Sequence, residues 1–565
     1  MTVAVALAAV LPLVPYPQQV ELRAGSVPAG SVSHRTDKAI PPEGYRIEIG
    51  ADGTFVWSSD ASGSFYADKT LSQLADGEGR WPCCRIVDAP HFSWRAMHIS
   101  TMRYSREELR RILDQLAEHK LNVLVFNVAW RIGVPGYPNL LKVIGPQDAY
   151  AEEDVKWLVD EAAKRHIGVV PTIQLLGHQK TVLGAYPELR CENLSEDFET
   201  ASLCPGSDRA LDFIEHAVDE ACRLFPGDYI HLGGDEVDRA NWRRCPRCAA
   251  RVREQGLESV EDLEDWVNDR MVKRVEAKGR KAIFWDEAMR PGRLTKTATI
   301  VGWDGDAPML QSARGGWPTI AGSFNGCYFD YSQMIPADPV YYDAYEWTQG
   351  FPLSRTYLFD PVGMAGPEGG KNFIGVQGHN WGLATLPMLE WRMWPRGCAL
   401  AETAWTYAEK RDYEGFLERM DAHRRRLQRM GVNVAPHRVP VVRVRGGEFD
   451  MRNGQIVFRY AFETDSPEVA VDFLYDRPIE TDAISIEVKN TGDVYQRTLV
   501  EMEETNGNLI RRVVCNSKRE WVEEKCPLGR TAKLRRISVV MPKPFVVKRR
   551  IGEMAIRKLA VEGVR

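Results

Sequence analysis

Two carboxylates, Asp235 and Glu236, stand side by side at the end of the apolar run "YIHLGGDE" (229–236). Neighbouring carboxylates hinder each other's ionisation, so one can stay protonated near neutral pH and act as an acid while the other remains an anion. Gly233 and Gly234 precede them, and glycine at such a point lets backbone and ligand approach closely. The dipeptide Asp-Glu by itself says little. It also begins at 160 and 219, inside helical patterns where a solvated pair is the plain reading, and again at 286. What sets 235–236 apart is the apolar run and the two glycines in front of it.

Other apolar runs carry residues of the same kind. The set comprises Arg95, His178, Trp285 with Asp286 and Glu287, Trp303 with Asp304, Tyr328 with Asp330, and Trp381. Carboxylates grip sugar hydroxyls and protonate glycosidic oxygens, and indoles cover the apolar faces of pyranose rings. This composition suits a carbohydrate. Taken singly, each tryptophan reads as core, and His231, inside its run, reads as a structural histidine. His178, after Gly177, reads equally as a group orienting a carboxylate or as packing. In an ordinary retaining glycosidase a second carboxylate attacks the sugar across a gap of about 5 Å, which two adjacent residues scarcely straddle. A substrate-assisted route suits them better. There the 2-acetamido oxygen of the substrate attacks, one carboxylate orients that amide, and the other protonates the leaving oxygen.

Other chemistries lack their signatures. The chain has no His-x-His and no His-Glu-x-x-His, so the usual metallohydrolase entries are missing. Cys245-Pro-Arg-Cys248 is a C-x-x-C, but no second pair stands at the usual knuckle spacing. A plain thiol pair is therefore the reading, and neither metal nor organic cofactor is expected. Neither G-x-S-x-G nor a Walker-type phosphate loop occurs.

The elements that must position these residues are legible as a pattern. Eight short apolar runs fall at 94–100, 121–129, 168–176, 229–236, 282–288, 299–305, 321–330 and 372–382. Between them lie segments such as "REELRRILDQLAEHK" and "EEDVKWLVDEAAKRH", whose apolar residues recur at intervals of three and four. Strands alternating with helices in this way predict an α/β (β/α)₈ TIM barrel over 93–435, with chemistry at the carboxyl ends of the strands. A doubly wound open sheet is the second choice, and it lacks a G-x-G-x-x-G after the first strand. Residues 1–92 read as a small N-terminal α/β domain. Residues 436–565 alternate and turn at close spacing, which predicts a C-terminal β-sandwich domain.

Composition narrows the partners. The 565 residues are 44 % hydrophobic and 27 % charged, an ordinary globular profile with ample core. A net charge of −5 without a long basic run argues against nucleic acid. No apolar run approaches the roughly 20 residues of a membrane span. The opening "MTVAVALAAVLPLVP" has no basic residue before its apolar part and is interrupted by Pro12 and Pro15, unlike a complete secretory signal. Eleven cysteines, an odd and sparse count, fit a reducing compartment, so the cytoplasm is expected and secretion is the alternative. The oligomeric state is not legible.

A string of segments in order resembles glycoside hydrolase family 20, the β-N-acetylhexosaminidases. It runs from "LPLVPYPQQVEL" through "SWRAMHISTMRYS", "GVVPTIQLLGH", "AYPEL", "FPGDYIHLGGDEV", "FWDEAM", "VGWDG" and "CYFDYS" to "WPRGCALAETAW", covering roughly residues 10–430. The resemblance implies an exo-acting retaining enzyme that releases terminal β-linked N-acetylhexosamine from an oligosaccharide or glycoconjugate through an oxazolinium intermediate. It implies that Asp235 orients the acetamido group, Glu236 is general acid and then base, and Tyr328 binds the acetamido oxygen. Trp285, Trp303 and Trp381 would wall the sugar pocket. Arg95 and Asp330 would bind hydroxyls, and His178 would support the acid. The chain departs from the family pattern at Ser100, Asn127, Trp130, Arg131, Thr172 and Leu383; by the resemblance, Leu383 and the second-strand changes remove polar partners from the hydroxyl end of the sugar site and from behind it. The glycone is thus N-acetylglucosamine, N-acetylgalactosamine or a substituted or larger unit. The reading from another class is a carbohydrate-binding protein without catalysis on the same fold.

Overall fold

The computed structural model describes residues 11–99, 102–128, 130–192, 202–290, 292–333, 351–382, 384–437, 441–445, 448–452, 455–459, 468–490, 496–516, 521–542 and 553–562. Ser100 and Leu383 lie outside them. The described residues form two compact units. One takes in the chain up to Tyr328 together with Ser354–Leu389 and Arg396–Val432; the other takes in Phe329–Leu353, Glu390–Pro395 and the chain from Asn433 onward.

The first unit begins with a five-stranded sheet of β1 (Gln19–Pro28), β2 (Val32–Thr36), β3 (Tyr45–Gly50), β4 (Gly53–Ser58) and β5 (Arg80–Asp88), in the order β1-β5-β3-β4-β2. Alternation along β3 buries Tyr45, Ile47 and Ile49. Helix Ala61–Leu74 covers that face with Tyr66 and with Ala67, Leu71 and Leu74, the last three at intervals of four and three.

Eight parallel strands then close into a barrel: β6 (Trp94–Ile99), β7 (Val123–Asn127), β8 (Gly168–Thr172), β9 (Tyr229–His231), β10 (Lys281–Trp285), β11 (Thr299–Gly302), β12 (Thr319–Ala321) and β13 (Phe373–His379). Each falls within or against one of the eight apolar runs. Ala96, Val123, Val125, Val170, Ile283, Trp285, Val301 and Ile320 fill the interior. The helices between strands follow their sequence signals. Helix Arg106–Glu118 starts at a capping box in which Ser105 and Glu108 satisfy each other's backbone N–H groups, and it buries Leu109, Ile112, Leu113 and Leu116. Such a cap is worth about 1 kcal/mol.

Beneath the barrel, two buried cations tie it to the N-terminal sheet. Arg95 pairs with Glu43 at 2.8 Å, and Lys120 donates to Tyr45 Oη at 2.7 Å and pairs with Asp88 at 3.3 Å. Trp405 Nε1 adds a bond to Asp88 at 2.9 Å. Burial of these charges is tolerable because each has a partner.

The second unit carries β14 (Val441–Arg445), β15 (Glu448–Arg452), β16 (Gln455–Arg459), β17 (Glu468–Asn490), β18 (Gln496–Glu504), β19 (Leu509–Asn516), β20 (Val522–Pro542) and β21 (Glu553–Glu562), all antiparallel. Strands β17 and β20 serve two halves of this sheet. Along 468–474 and 534–542 they join β14, β18 and β19; along 483–490 and 522–527 they join β15, β16 and β21. Register shifts at Leu474/Ile479 and Thr481/Ala483 divide β17, and its buried positions move from Val469, Val471 and Phe473 to Ile484, Ile486 and Val488. The irregularity changes the phase of the alternation and keeps the apolar side inward. One core cluster draws on both halves.

Candidate active site

Three strand ends supply the carboxylates and the histidine. After β9 the chain turns through two glycines that no other residue replaces. Gly233 has φ +75°, and a Cβ there would lie 1.8 Å from Gln174 Oε1; Gly234 has φ +95°, and a Cβ there would lie 2.8 Å from the Ala288 methyl. The backbone thus threads between the loops after β8 and β10 and delivers Asp235 and Glu236 at their junction. Asp235 is buried, whereas the Glu236 side chain is 54 % exposed. The two neighbours therefore sit in different environments.

His178, from the loop after β8, bridges them. Its Nε2 is 3.2 Å from Asp235 Oδ2 and 3.5 Å from Glu236 Oε2. Toward an ionised carboxylate, which only accepts, the imidazole is the donor through Nε2. The bond to Asp235 raises the His178 pKa above its ordinary value against the opposing effect of burial, and the charges of Asp235, Glu236 and Glu287 add to it. Asp235 Oδ1 is buried and has no hydrogen-bond partner among the described residues.

The loop after β10 braces this pair. Glu287 Oε2 accepts the Glu236 backbone N–H at 3.0 Å. Glu236 has φ +49° and His178 has φ +55°, the left-handed region that side-chain-bearing residues rarely adopt. Such conformations cost on the order of 1–3 kcal/mol and persist where surrounding contacts hold them. Burial raises the Glu287 pKa, and the charges of Asp235, Glu236 and Asp304 raise it further, against the N–H of Glu236. Asp286 is buried too. Its Oδ2 accepts from the Trp303 and Asp304 N–H groups at 2.9 and 3.2 Å, and burial still pushes its pKa up to about 7.

Asp286 thereby connects the carboxylates to the aromatic residues. Trp303 stacks on Tyr328 with ring centres 6.2 Å apart, and Tyr328 lies 5.1 Å from His379. His379 lies parallel to Trp381 at 6.1 Å, and Trp285 stands 5.6 Å from Trp381 and 4.3 Å from His231. Trp285 and Tyr328 are buried, while Trp303 and Trp381 are partly open. The Nε1 groups of Trp285 and Trp303 have no acceptor among the described residues. His98, His231 and His379 line the same wall, fully buried, and burial pushes each below its ordinary pKa, His98 to about 3. They are neutral rings at neutral pH.

One expectation changes. Arg95 is the second residue of β6, at the amino end of the barrel, and its guanidinium is consumed by Glu43, the Lys120 and Phe92 carbonyls and Tyr66 Oη. It is fully buried and holds the barrel floor, not a sugar. Beyond the carboxyl end of β6, Arg103 pairs with Asp154 at 3.1 Å and stacks on Tyr150. Asp330, two residues after Tyr328, is buried as Asp235 is. Glu287 ends its apolar run in the sequence, but its function as a brace depends on a backbone bond that spacing does not reveal.

Comparison with known proteins gives a consistent answer. Residues 92–408 match the family model described as glycosyl hydrolase family 20, catalytic domain, and residues 28–89 match that family's domain 2. A β-hexosaminidase of Porphyromonas gingivalis is 30 % identical over 76 % of this chain, which spans 59 % of that relative's length. A β-hexosaminidase of Akkermansia muciniphila is 28 % identical, with 73 % of this chain and 89 % of the relative covered. The β-N-acetylhexosaminidase structure from Bacteroides fragilis aligns with a TM-score of 0.68 and 26 % identity, over 75 % of this chain and 97 % of that one. The exo-β-N-acetylglucosaminidase of Vibrio harveyi, solved with N-acetylglucosamine, aligns with a TM-score of 0.69 at 21 % identity over 76 % of this chain and 79 % of that one.

Proposed function

Because the chain belongs to glycosyl hydrolase family 20, we propose that it removes terminal β-linked N-acetylhexosamine from oligosaccharides or glycoconjugates, with the acetamide of the substrate as nucleophile. The relatives' names support the hexosaminidase reading. The observation that carries the mechanism is the unequal carboxylate pair under one imidazole: Asp235 buried with one oxygen unpartnered, and Glu236 half-open 3.5 Å from the same His178 nitrogen.

The steps follow from that inequality. Asp235 Oδ1 accepts the acetamido N–H and turns the carbonyl oxygen toward the anomeric carbon. That oxygen attacks; Glu236 gives its proton to the departing glycosidic oxygen, and the C–O bond breaks. A cyclic oxazolinium forms, and the Asp235 anion offsets its charge. Water then adds at the anomeric carbon, giving its proton to Glu236, and the amide is restored. Two displacements leave the β configuration unchanged. Tyr328 holds the acetamido oxygen, and Trp285, Trp303 and Trp381 exclude water around it. A preorganised anion of this kind is worth more in a dry site than in water. The glycone is N-acetylglucosamine or N-acetylgalactosamine, free or substituted.

A panel of aryl β-N-acetylglucosaminide, β-N-acetylgalactosaminide, their 6-sulfated analogues and the plain β-glucoside tests the reading. Turnover of at least one acetamido substrate with a negligible rate on the glucoside is expected. Comparable turnover of the glucoside refutes the substrate-assisted route.

A further inference from the structure

The C-x-x-C at Cys245 and Cys248 does not stand alone. Cys191 and Cys204, separated in sequence by twelve residues, meet it from the connection that follows β8. The sulfur of Cys191 is 3.7 Å from that of Cys248, and the sulfur of Cys204 is 3.7 Å from Cys245 and 3.6 Å from Cys248. All four sulfurs lie within 4.8 Å of one another. Each cysteine is free and buried. Zinc–thiolate bonds of about 2.3 Å in a tetrahedron put the sulfurs about 3.8 Å apart. A disulfide would need about 2.05 Å. The spacing is that of four ligands around one centre.

The backbone is built to hold this arrangement. Cys245 caps helix Pro246–Glu254, and Cys248 lies in its first turn. The turn Cys204-Pro205-Gly206 presses against that helix start so closely that a Cβ on Gly206 would lie 2.3 Å from the Arg247 carbonyl carbon. Cys204 N–H bonds the Leu189 carbonyl at 2.9 Å, two residues before Cys191. Arg247 lies against the sulfurs of Cys245 and Cys204, a cation next to a group that becomes anionic on binding metal. Soft thiolates in a closed tetrahedron select zinc over harder divalent ions.

We propose that Cys191, Cys204, Cys245 and Cys248 bind one structural zinc ion that fastens the loops following β8 and β9 to each other. These loops carry the candidate active-site residues. Leu203 N–H bonds the Leu176 carbonyl at 3.0 Å, two residues before His178, and Trp242 Nε1 bonds the Leu203 carbonyl at 3.0 Å, within the segment that leaves Glu236. The site is closed by four protein sulfurs, so the metal supports the loops and takes no part in the reaction. Binding displaces a proton from each thiol. The second cluster of possible ligands, His119, Cys398 and His423, offers only three groups, and His119 already bonds the Gln115 carbonyl and His423.

The test is metal content of the full chain, expressed with zinc and purified under reducing conditions. About one zinc per chain is expected by elemental analysis, retained in Cys398→Ala and reduced at least tenfold in the double variant Cys245→Ser/Cys248→Ser. Cobalt added to the reduced, zinc-stripped wild type should give intense thiolate charge-transfer bands and tetrahedral d–d bands, a readout that does not depend on the variant folding. A wild type that carries no zinc and gives no such bands overturns the proposal. So does zinc that stays with the double variant or leaves with Cys398→Ala.

Discussion

Asp235→Asn isolates the role assigned to the buried carboxylate. The side chain keeps its shape and loses its charge. In the wild type one oxygen accepts from His178 Nε2 at 3.2 Å and the other is buried without a partner among the described residues. In the proposed reaction that second oxygen faces a neutral amide N–H in the ground state and a cationic oxazolinium N–H as the ring closes. The bond therefore strengthens along the reaction, which is the condition for raising kcat rather than merely tightening binding. Removing one preorganised group that opposes developing charge costs about 2.7–4 kcal/mol. At about 1.36 kcal/mol per tenfold, that is a loss of roughly 10²–10³ in kcat. KM should change far less, because the neutral amide loses only the smaller ground-state bond. Initial rates on an aryl β-N-acetylhexosaminide over a full concentration range separate the two constants. A kcat within about threefold of wild type, or a loss carried by KM alone, refutes the assignment.

Other expectations follow from the same geometry. Glu236→Gln should lose about 10²–10⁴ on substrates with poor leaving groups and much less on nitrophenyl glycosides, whose departure needs little protonation; steady-state rates across a leaving-group series read the difference. Arg95→Met should lower stability by on the order of 3 kcal/mol, because it leaves Glu43 without its partner, while KM and kcat of the folded enzyme stay near wild type; denaturant unfolding alongside the assay checks both. The His178 imidazole should titrate above its ordinary 6.5 in the wild type and fall in Asp235→Asn, as followed by NMR. The sign carries over to stability. A raised pKa stabilises the fold below the unfolded value, and the gain is lost as pH rises through the folded value, so His178→Gln should be most destabilising in acid and least above neutrality.

Much of the barrel is legible because its strands are short, apolar and separated by helices with a clear period of three and four. The carboxylates and tryptophans stand out because they end those runs. What the pattern does not carry is which end of a strand a residue occupies once the sheet is in register. Arg95 lies in an apolar run like the others, yet β6 starts at Trp94, so the arginine is at the floor and its partners are Glu43, Tyr66 and two backbone carbonyls. The cysteines show the same limit at longer range. Cys245 and Cys248 form a recognisable pair, but Cys191 and Cys204 are brought to them only by the packing of two loops. In the C-terminal unit, "EVAVDFLY" and "ISIEVKN" read as two strands, and the structure joins them into the 23 residues of β17 through register shifts that leave no mark on the alternation of either piece.

In the proposed reaction the attacking atom belongs to the substrate. Aryl β-glycosides whose 2-acetamido group carries one, two or three fluorines on its methyl test it directly, because each fluorine withdraws electron density from the carbonyl oxygen while the leaving group stays the same. With the acetamide as nucleophile, kcat should fall at every step, by more than about tenfold across the series. A kcat that is flat or rises with fluorination contradicts it.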